Sequence, residues 1–393
     1  MRRPLSVLLT VVLSAVALVL APISVAAVPN WSELDATAYA GPISGGGALI
    51  ESVPLDPAVS LPAASAAYRI LYATTNAHDR PAVSTAALFL PVGAPPDGGW
   101  PVVAWAHGTV GLGDDCTPSA LPRSDRDVEY LDHWLEQGYA VVASDYVGLG
   151  TPGLMSYLDT VSTAHSIVDS VVAGHATGLP LSPKWAVIGQ SQGGAGALGT
   201  ARYATEFSAG SGLDYRGAIA TGTPAFIEEI VATAGPDLVV PPELGPIANA
   251  YAAYILAAFS DVRSDLNVDS VLTPVGRNAA VLAETACTRD LADALAQWRP
   301  NDFFAAPLAS LSGVEQALAD YMGIPTSGYD RPIFLGVGLQ DRDVPPSSSF
   351  RLNDALVAAG QPVELHVYPD DDHSSAVLAS MPDSTPFLQR LMS

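Results

Sequence analysis

The residues best placed to do covalent chemistry lie in Gly189-Gln190-Ser191-Gln192-Gly193, where the apolar run Trp185-Ala186-Val187-Ile188 breaks into Gly-x-Ser-x-Gly and then into Ala/Gly-rich sequence. A strand that turns sharply into a helix holds its turn residue in a strained conformation. The close approach of helix to strand leaves room only for small neighbours, here Gly189, Gly193 and Gly194. Such a turn lifts the Ser191 hydroxyl clear of the sheet and sets it at a helix N-terminus. A neutral serine hydroxyl is a poor nucleophile, so it needs a base within hydrogen-bond reach and a carboxylate that holds the base in one tautomer. In a parallel sheet those partners hang from loops at the carboxyl ends of later strands. The apolar run 331–338 leads into Asp341 and Asp343, and the run 363–368 leads into Asp370, Asp371, Asp372 and His373. The chain order Ser191, Asp341, His373 is the one expected for a serine on a strand-turn-helix. Of the other histidines, His366 falls inside a strand pattern, His133, His165 and His175 in helical patterns, and His78 in a turn; these suit structural or solvated roles better.

Acyl transfer also needs backbone N–H donors where an oxyanion forms. Gln192, directly after the serine, is expected to supply one. The second comes either from His107-Gly108-Thr109, with Gly108 the candidate, or from Asp145 in Ser144-Asp145-Tyr146-Val147-Gly148. The Gly148-Leu149-Gly150-Thr151-Pro152-Gly153 stretch matches a dinucleotide fingerprint, but Asp169, about twenty residues on, falls in a helical segment instead of ending a second strand. No clustered Cys/His, His-Glu-x-x-His or calcium-loop pattern appears, so the reading includes neither cofactor nor metal.

The elements that must position these residues alternate from residue 100 onward. Strand patterns at 102–106, 139–143, 184–190, 215–220, 331–338 and 363–368 are interleaved with helical ones. Among the helical segments are 124–137, with Ser124 as N-cap and Gly138 as stop, and 160–176. Apolar strands alternating with helices imply a mostly parallel α/β sheet covered on both faces. Before it, 67–74 and 82–90 read as a hairpin, and 28–64 as an irregular N-terminal arm. Residues 225–328 interrupt the alternation with helical stripes such as Ile247, Tyr251, Tyr254, Ile255 and Phe259. Ser312 and Glu315 there have capping-box spacing. This segment reads as a helical insertion sitting on the sheet, and Tyr251 and Phe259 as candidate walls of a pocket above Ser191.

Composition narrows the classes. The 393 residues are 49 % hydrophobic and 15 % charged, enough to bury a large core. Seventeen Lys and Arg stand against 40 Asp and Glu, a net charge of −23 that disfavours nucleic acid and anionic head groups as partners. Residues 1–27, with Arg2 and Arg3, an apolar run and small residues at Ala26 and Ala27, match a secretory signal peptide. No later stretch is long and apolar enough to span a bilayer, so no stable membrane insertion is expected once the signal is removed. In an exported chain the two cysteines, Cys116 and Cys287, are expected to pair.

Taken together these segments resemble the secretory lipase family, the lipase A type of the α/β hydrolases. The likeness rests on Trp105-Ala106-His107-Gly108-Thr109, Cys116-Thr117-Pro118, Ser144 to Gly153, Gly189 to Gly194, Asp341 with Val344-Pro345, and His373. It implies an α/β-hydrolase fold with a helical cap over the acyl site, at 225–328, and a secreted serine lipase or esterase acting on acylglycerols or other hydrophobic esters. By it Ser191, Asp341 and His373 are the triad, and Asp145 and Gln192 line the oxyanion hole. Val147 stands where the resemblance leads one to expect an acidic residue. A triad specifies acyl transfer and not the leaving group, so peptidase and acyltransferase activity, or a binding protein that has lost catalysis, stay open at this stage.

Overall fold

The computed structural model describes residues 28–239 and 245–393; the signal-peptide reading of 1–27 falls outside them. Nine strands form one sheet: β1 (Leu49–Pro54), β2 (Ala66–Thr75), β3 (Pro81–Leu90), β4 (Trp100–Ala106), β5 (Ala140–Ser144), β6 (Leu181–Gln190), β7 (Asp214–Thr221), β8 (Ile333–Gly338) and β9 (Val363–Tyr368). Their order across the sheet is β1-β2-β3-β5-β4-β6-β7-β8-β9. The first three are antiparallel, β3 meets β5 antiparallel, and from β5 to β9 every pairing is parallel.

The helices are α1 (Asp125–Glu136), α2 (Thr160–Ala176), α3 (Gln192–Phe207), α4 (Ile227–Ala232), α5 (Ile247–Val262), α6 (Pro274–Ala283), α7 (Thr288–Ala294), α8 (Val314–Met322), α9 (Pro346–Ala358), α10 (Ser375–Ala379) and α11 (Met381–Met392). Both faces of the sheet are covered, as the near-continuous apolar strands require. Along β4, Val102, Ala104 and Ala106 face a core shared with α2, α3, α5 and α8, whereas Val103 and Trp105 face one shared with α1 and α11. The period of two in the strand thus serves two helical layers. Ser124 caps α1 by accepting from the Asp127 N–H at 3.2 Å.

Two readings of the sequence need correction. The arm 28–64 is not wholly irregular: β1 adds an antiparallel edge to β2, with a register shift between Leu49 and Glu51. Ser312 does not cap α8; Gly313, left-handed at φ 79°, holds that position without a side-chain bond.

A disulfide joins Cys116 to Cys287, Cα to Cα 5.5 Å, across 171 residues of sequence. It ties the loop after β4 to the start of α7, where Thr288 N–H also donates to Val110 O at 3.0 Å. No helix among the described residues is long and apolar enough to cross a membrane.

Candidate active site

Ser191 sits between β6 and α3 with φ 60° and ψ −124°, a conformation disfavoured for a residue with a Cβ. Close packing around it holds the strain. A Cβ on Gly189 would stand 1.9 Å from Gly193 O, and one on Gly193 would stand 1.9 Å from Ala106 O, so neither position admits a side chain. The Ser191 side chain makes no capping bond to α3, which leaves its hydroxyl for another partner.

That partner is His373, on the loop after β9: Nε2 lies 2.8 Å from Ser191 Oγ. The other ring nitrogen, Nδ1, lies 2.7 Å from Asp341 Oδ2. Asp341 follows β8, and its side chain is 1 % exposed. Its second oxygen, Oδ1, accepts from the backbone N–H groups of Asp343 at 2.9 Å and Val344 at 2.8 Å. Two bonds to the ring and two that hold Asp341 therefore fix which way His373 turns and which nitrogen faces the serine. The Asp343 side chain takes no part in this line; its Oδ2 accepts from Tyr251 Oη at 3.4 Å.

Two residues without a sequence signal of their own complete the setting. Gln190 Nε2 donates to His373 O at 2.9 Å, tying the histidine loop to β6. Gly222, at φ 57°, lies beside the imidazole, where a Cβ would come within 3.1 Å of the ring.

Around the hydroxyl, Gln192 opens α3, and the N–H of a first helical residue has no intrahelical acceptor. Gly108 lies on the other side: a Cβ there would stand 3.6 Å from Ser191 Cβ. The loop carrying Gly108 is held by His107, whose Nδ1 lies 2.7 Å from Gly108 O and whose ring stacks on Tyr146 at 4.1 Å. Burial pulls the His107 pKa down, keeping the ring neutral. Tyr146 Oη donates to His107 O at 2.9 Å.

Asp145 lies elsewhere than the resemblance implied. Its backbone N–H donates to Thr85 O at 2.8 Å, so it is not free for an oxyanion. Its carboxylate accepts from Ser119 N–H at 2.8 Å, from the Ser119 hydroxyl and from Thr85 Oγ1 at 2.7 Å, while Arg69 Nη1 donates to Ser119 Oγ. Asp145 is thus the hub of a buried polar network under the loop and not a donor within it.

A cleft of about 920 Å³ opens over Ser191 and His373. Gly108, Thr109, Val110, Leu121, Arg123, Tyr251, Arg342 and the disulfide line it. Tyr251, on the helical stripe, is one of the lining residues. Phe259 is not: it is 1 % exposed and packs edge-on against Tyr321 at 5.4 Å. Eight residues further along an α-helix lie about 12 Å down its axis and about 80° around it, enough to carry a side chain from the cleft into the core. The Gly148–Gly153 turn also spends its donors internally, Gly148 N–H on Thr151 Oγ1 and Gly150 N–H on Asp114 Oδ1, each at 3.0 Å.

A strained serine on a strand-turn-helix, with acid and histidine after later parallel strands, defines the chain as having the α/β-hydrolase fold. The structure is similar to Candida antarctica lipase A in its closed state, with a TM-score of 0.72 at 19 % identity over 88 % of this chain and 82 % of that one. It is also similar to the ligand-bound rice cell wall degrading esterase LipA from Xanthomonas oryzae, with a TM-score of 0.69 at 20 % identity over 86 % and 98 %. Residues 293–389 match the prolyl oligopeptidase family. No curated protein matches the chain by sequence.

Proposed function

We propose that this chain is a serine carboxylic-ester hydrolase. The observation that carries the reading is the line Ser191 Oγ, His373 Nε2, His373 Nδ1, Asp341 Oδ2, with contacts of 2.8 and 2.7 Å at its ends. In this reading His373 takes the Ser191 proton as the oxygen attacks the ester carbonyl, and gives it to the departing alcohol. Asp341 holds the imidazole in one tautomer and stabilises the imidazolium. The N–H groups of Gln192 and Gly108 receive the oxyanion, and water, deprotonated by His373, then releases the acyl group. Helices α4 to α8 form a cap, with Tyr251 on its cleft side. The likeness to a lipase and an esterase favours an alcohol leaving group. A disulfide supports an oxidising compartment, in keeping with export.

A peptidase is the second reading, favoured by the match of 293–389, the segment that contains Asp341 and His373. Turnover of p-nitrophenyl esters from acetate to laurate, beside peptide anilides, separates the two. The proposal expects kcat/KM for an ester to exceed that for any anilide by far more than the non-enzymatic difference. Faster turnover of an anilide would move the assignment to peptide bonds.

A further inference from the structure

Arg123 is a cation in the cleft wall whose charge no neighbour fully answers. Its guanidinium lies over the Phe89 ring at 5.5 Å, and Nε and Nη2 are sealed from solvent without a hydrogen-bond partner among the described residues. Only Nη1 is left to reach the cleft that Arg123 lines. Two carboxylates act on it from a distance, Asp145 and Asp127. The Asp145 oxygens are engaged with Ser119 and Thr85, and Asp127, which also lines the cleft, gives Oδ1 to Nε and Nη2 of Arg126. A guanidinium charge held largely out of water is costly, and an anion arriving with the substrate beside Nη1 would offset that cost.

The surroundings point the same way. The chain has 17 Lys and Arg against 40 Asp and Glu, yet Arg123, Arg126 and Arg342 all line the one cleft that holds Ser191. The remaining acids of that cleft have partners: Asp343 accepts from Tyr251 Oη, and Asp372 from the N–H groups of Ser374 and Ser375. A planar guanidinium matches a carboxylate better than any neutral group.

Resting on the reading of Ser191 as the nucleophile, we propose that the cleft selects esters bearing a free carboxylate, which Arg123 receives. A triacylglycerol offers no such group. The carboxylate belongs to the acyl half or to the alcohol half, and the test separates them. Mono-p-nitrophenyl adipate is compared with p-nitrophenyl hexanoate for the acyl side, and 4-carboxyphenyl hexanoate with phenyl hexanoate for the alcohol side, each corrected for spontaneous hydrolysis. In one pair the charged ester is expected to have the higher kcat/KM, by a margin that shrinks with added salt. Arg123→Gln is expected to lower the charged-to-neutral ratio about 10- to 100-fold, and Arg123→Lys to restore it only in part. The salt series on the wild-type protein needs no variant, so it decides even where a substitution fails to fold. Neutral esters preferred in both pairs, with ratios insensitive to salt and to Arg123→Gln, would overturn the proposal while leaving the hydrolase reading intact. If no ester turns over, the hydrolase reading falls instead. Calorimetric titration with free adipate then decides the anion site: binding weakened by Arg123→Gln supports it, and no binding overturns it.

Discussion

The backbone strain at Ser191, φ 60° beside two glycines that admit no Cβ, is intelligible if the hydroxyl must stand free of the sheet. It is a cost the fold carries for a side chain that packs against little. Ser191→Ala is therefore expected to lower kcat by about 10⁴-fold or more while leaving the thermal melt unchanged. Near-normal turnover by the folded variant would remove the nucleophile from this position. Asp341→Asn is expected to cost about 10⁴-fold, because an amide cannot hold His373 in the same tautomer. Asp343→Asn, which alters a side chain bonded to Tyr251 Oη and keeps the backbone N–H that serves Asp341, is expected to cost far less, and the reverse ranking would transfer the acid to Asp343. These three side chains are legible from sequence because each follows a strand and their order is fixed by the turn that carries the serine. Asp145 is misread for a complementary reason: a short motif names the residue but not where its N–H points, and that is decided by Thr85, 60 residues earlier in the chain. Arg123 gives no local signal, since its isolation depends on what Asp145 and Asp127 bind.

Helical periodicity identified α5 as amphipathic but could not say which apolar residue meets the cleft. Tyr251 and Phe259 share a stripe, yet one lines the site and the other is core. Phe259→Ala is expected to destabilise by about 3–5 kcal/mol with kcat/KM reduced equally for every acyl chain length. Tyr251→Trp is expected to penalise long chains more than acetate, because added bulk blocks the chain and not the carbonyl. Equal chain-length profiles for the two variants would count against this division of the helix. β1 carries no strand signal, because an edge strand with partly exposed residues and a terminal Pro54 lacks the alternation that marks a half-buried strand. Between α2 and β2, Asp169 has no cationic partner among the described residues; it accepts from Thr74 Oγ1 at 2.8 Å, and burial raises its pKa from 3.8 to about 7. The folded state thus keeps a proton that the unfolded chain releases. Its penalty is absent below the unfolded value, grows as pH rises, and is complete above the folded one. Asp169→Asn, which retains an acceptor for Thr74, is expected to raise Tm relative to wild type above pH ~7.5 and to leave it little changed below pH ~4. A gain confined to acid pH would show that the carboxyl is ionised in the fold.

At the scale of the whole molecule, the α/β class was readable from residue 100 onward because a parallel sheet buried on both faces leaves apolar strands too regular to miss. The long helical segment 225–328 was readable mainly as an interruption, since its docking depends on contacts such as Tyr321 Oη with Tyr157 O, 164 residues apart. The Cys116–Cys287 bond spans the same two regions. Replacing both cysteines with serine is expected to cost up to about 4–5 kcal/mol in the chain-entropy account, read as a lower melting temperature; an unchanged melt would mean that the unfolded chain gains little freedom without the bond. The central claim is that Ser191 is an activated nucleophile, and intact-mass spectrometry after exposure to a fluorophosphonate tests it most directly. One adduct per chain is expected, mapped to the peptide containing Ser191, absent from Ser191→Ala and formed much more slowly by His373→Ala. A folded wild-type protein that stays unmodified, or one modified at another serine, would contradict the account.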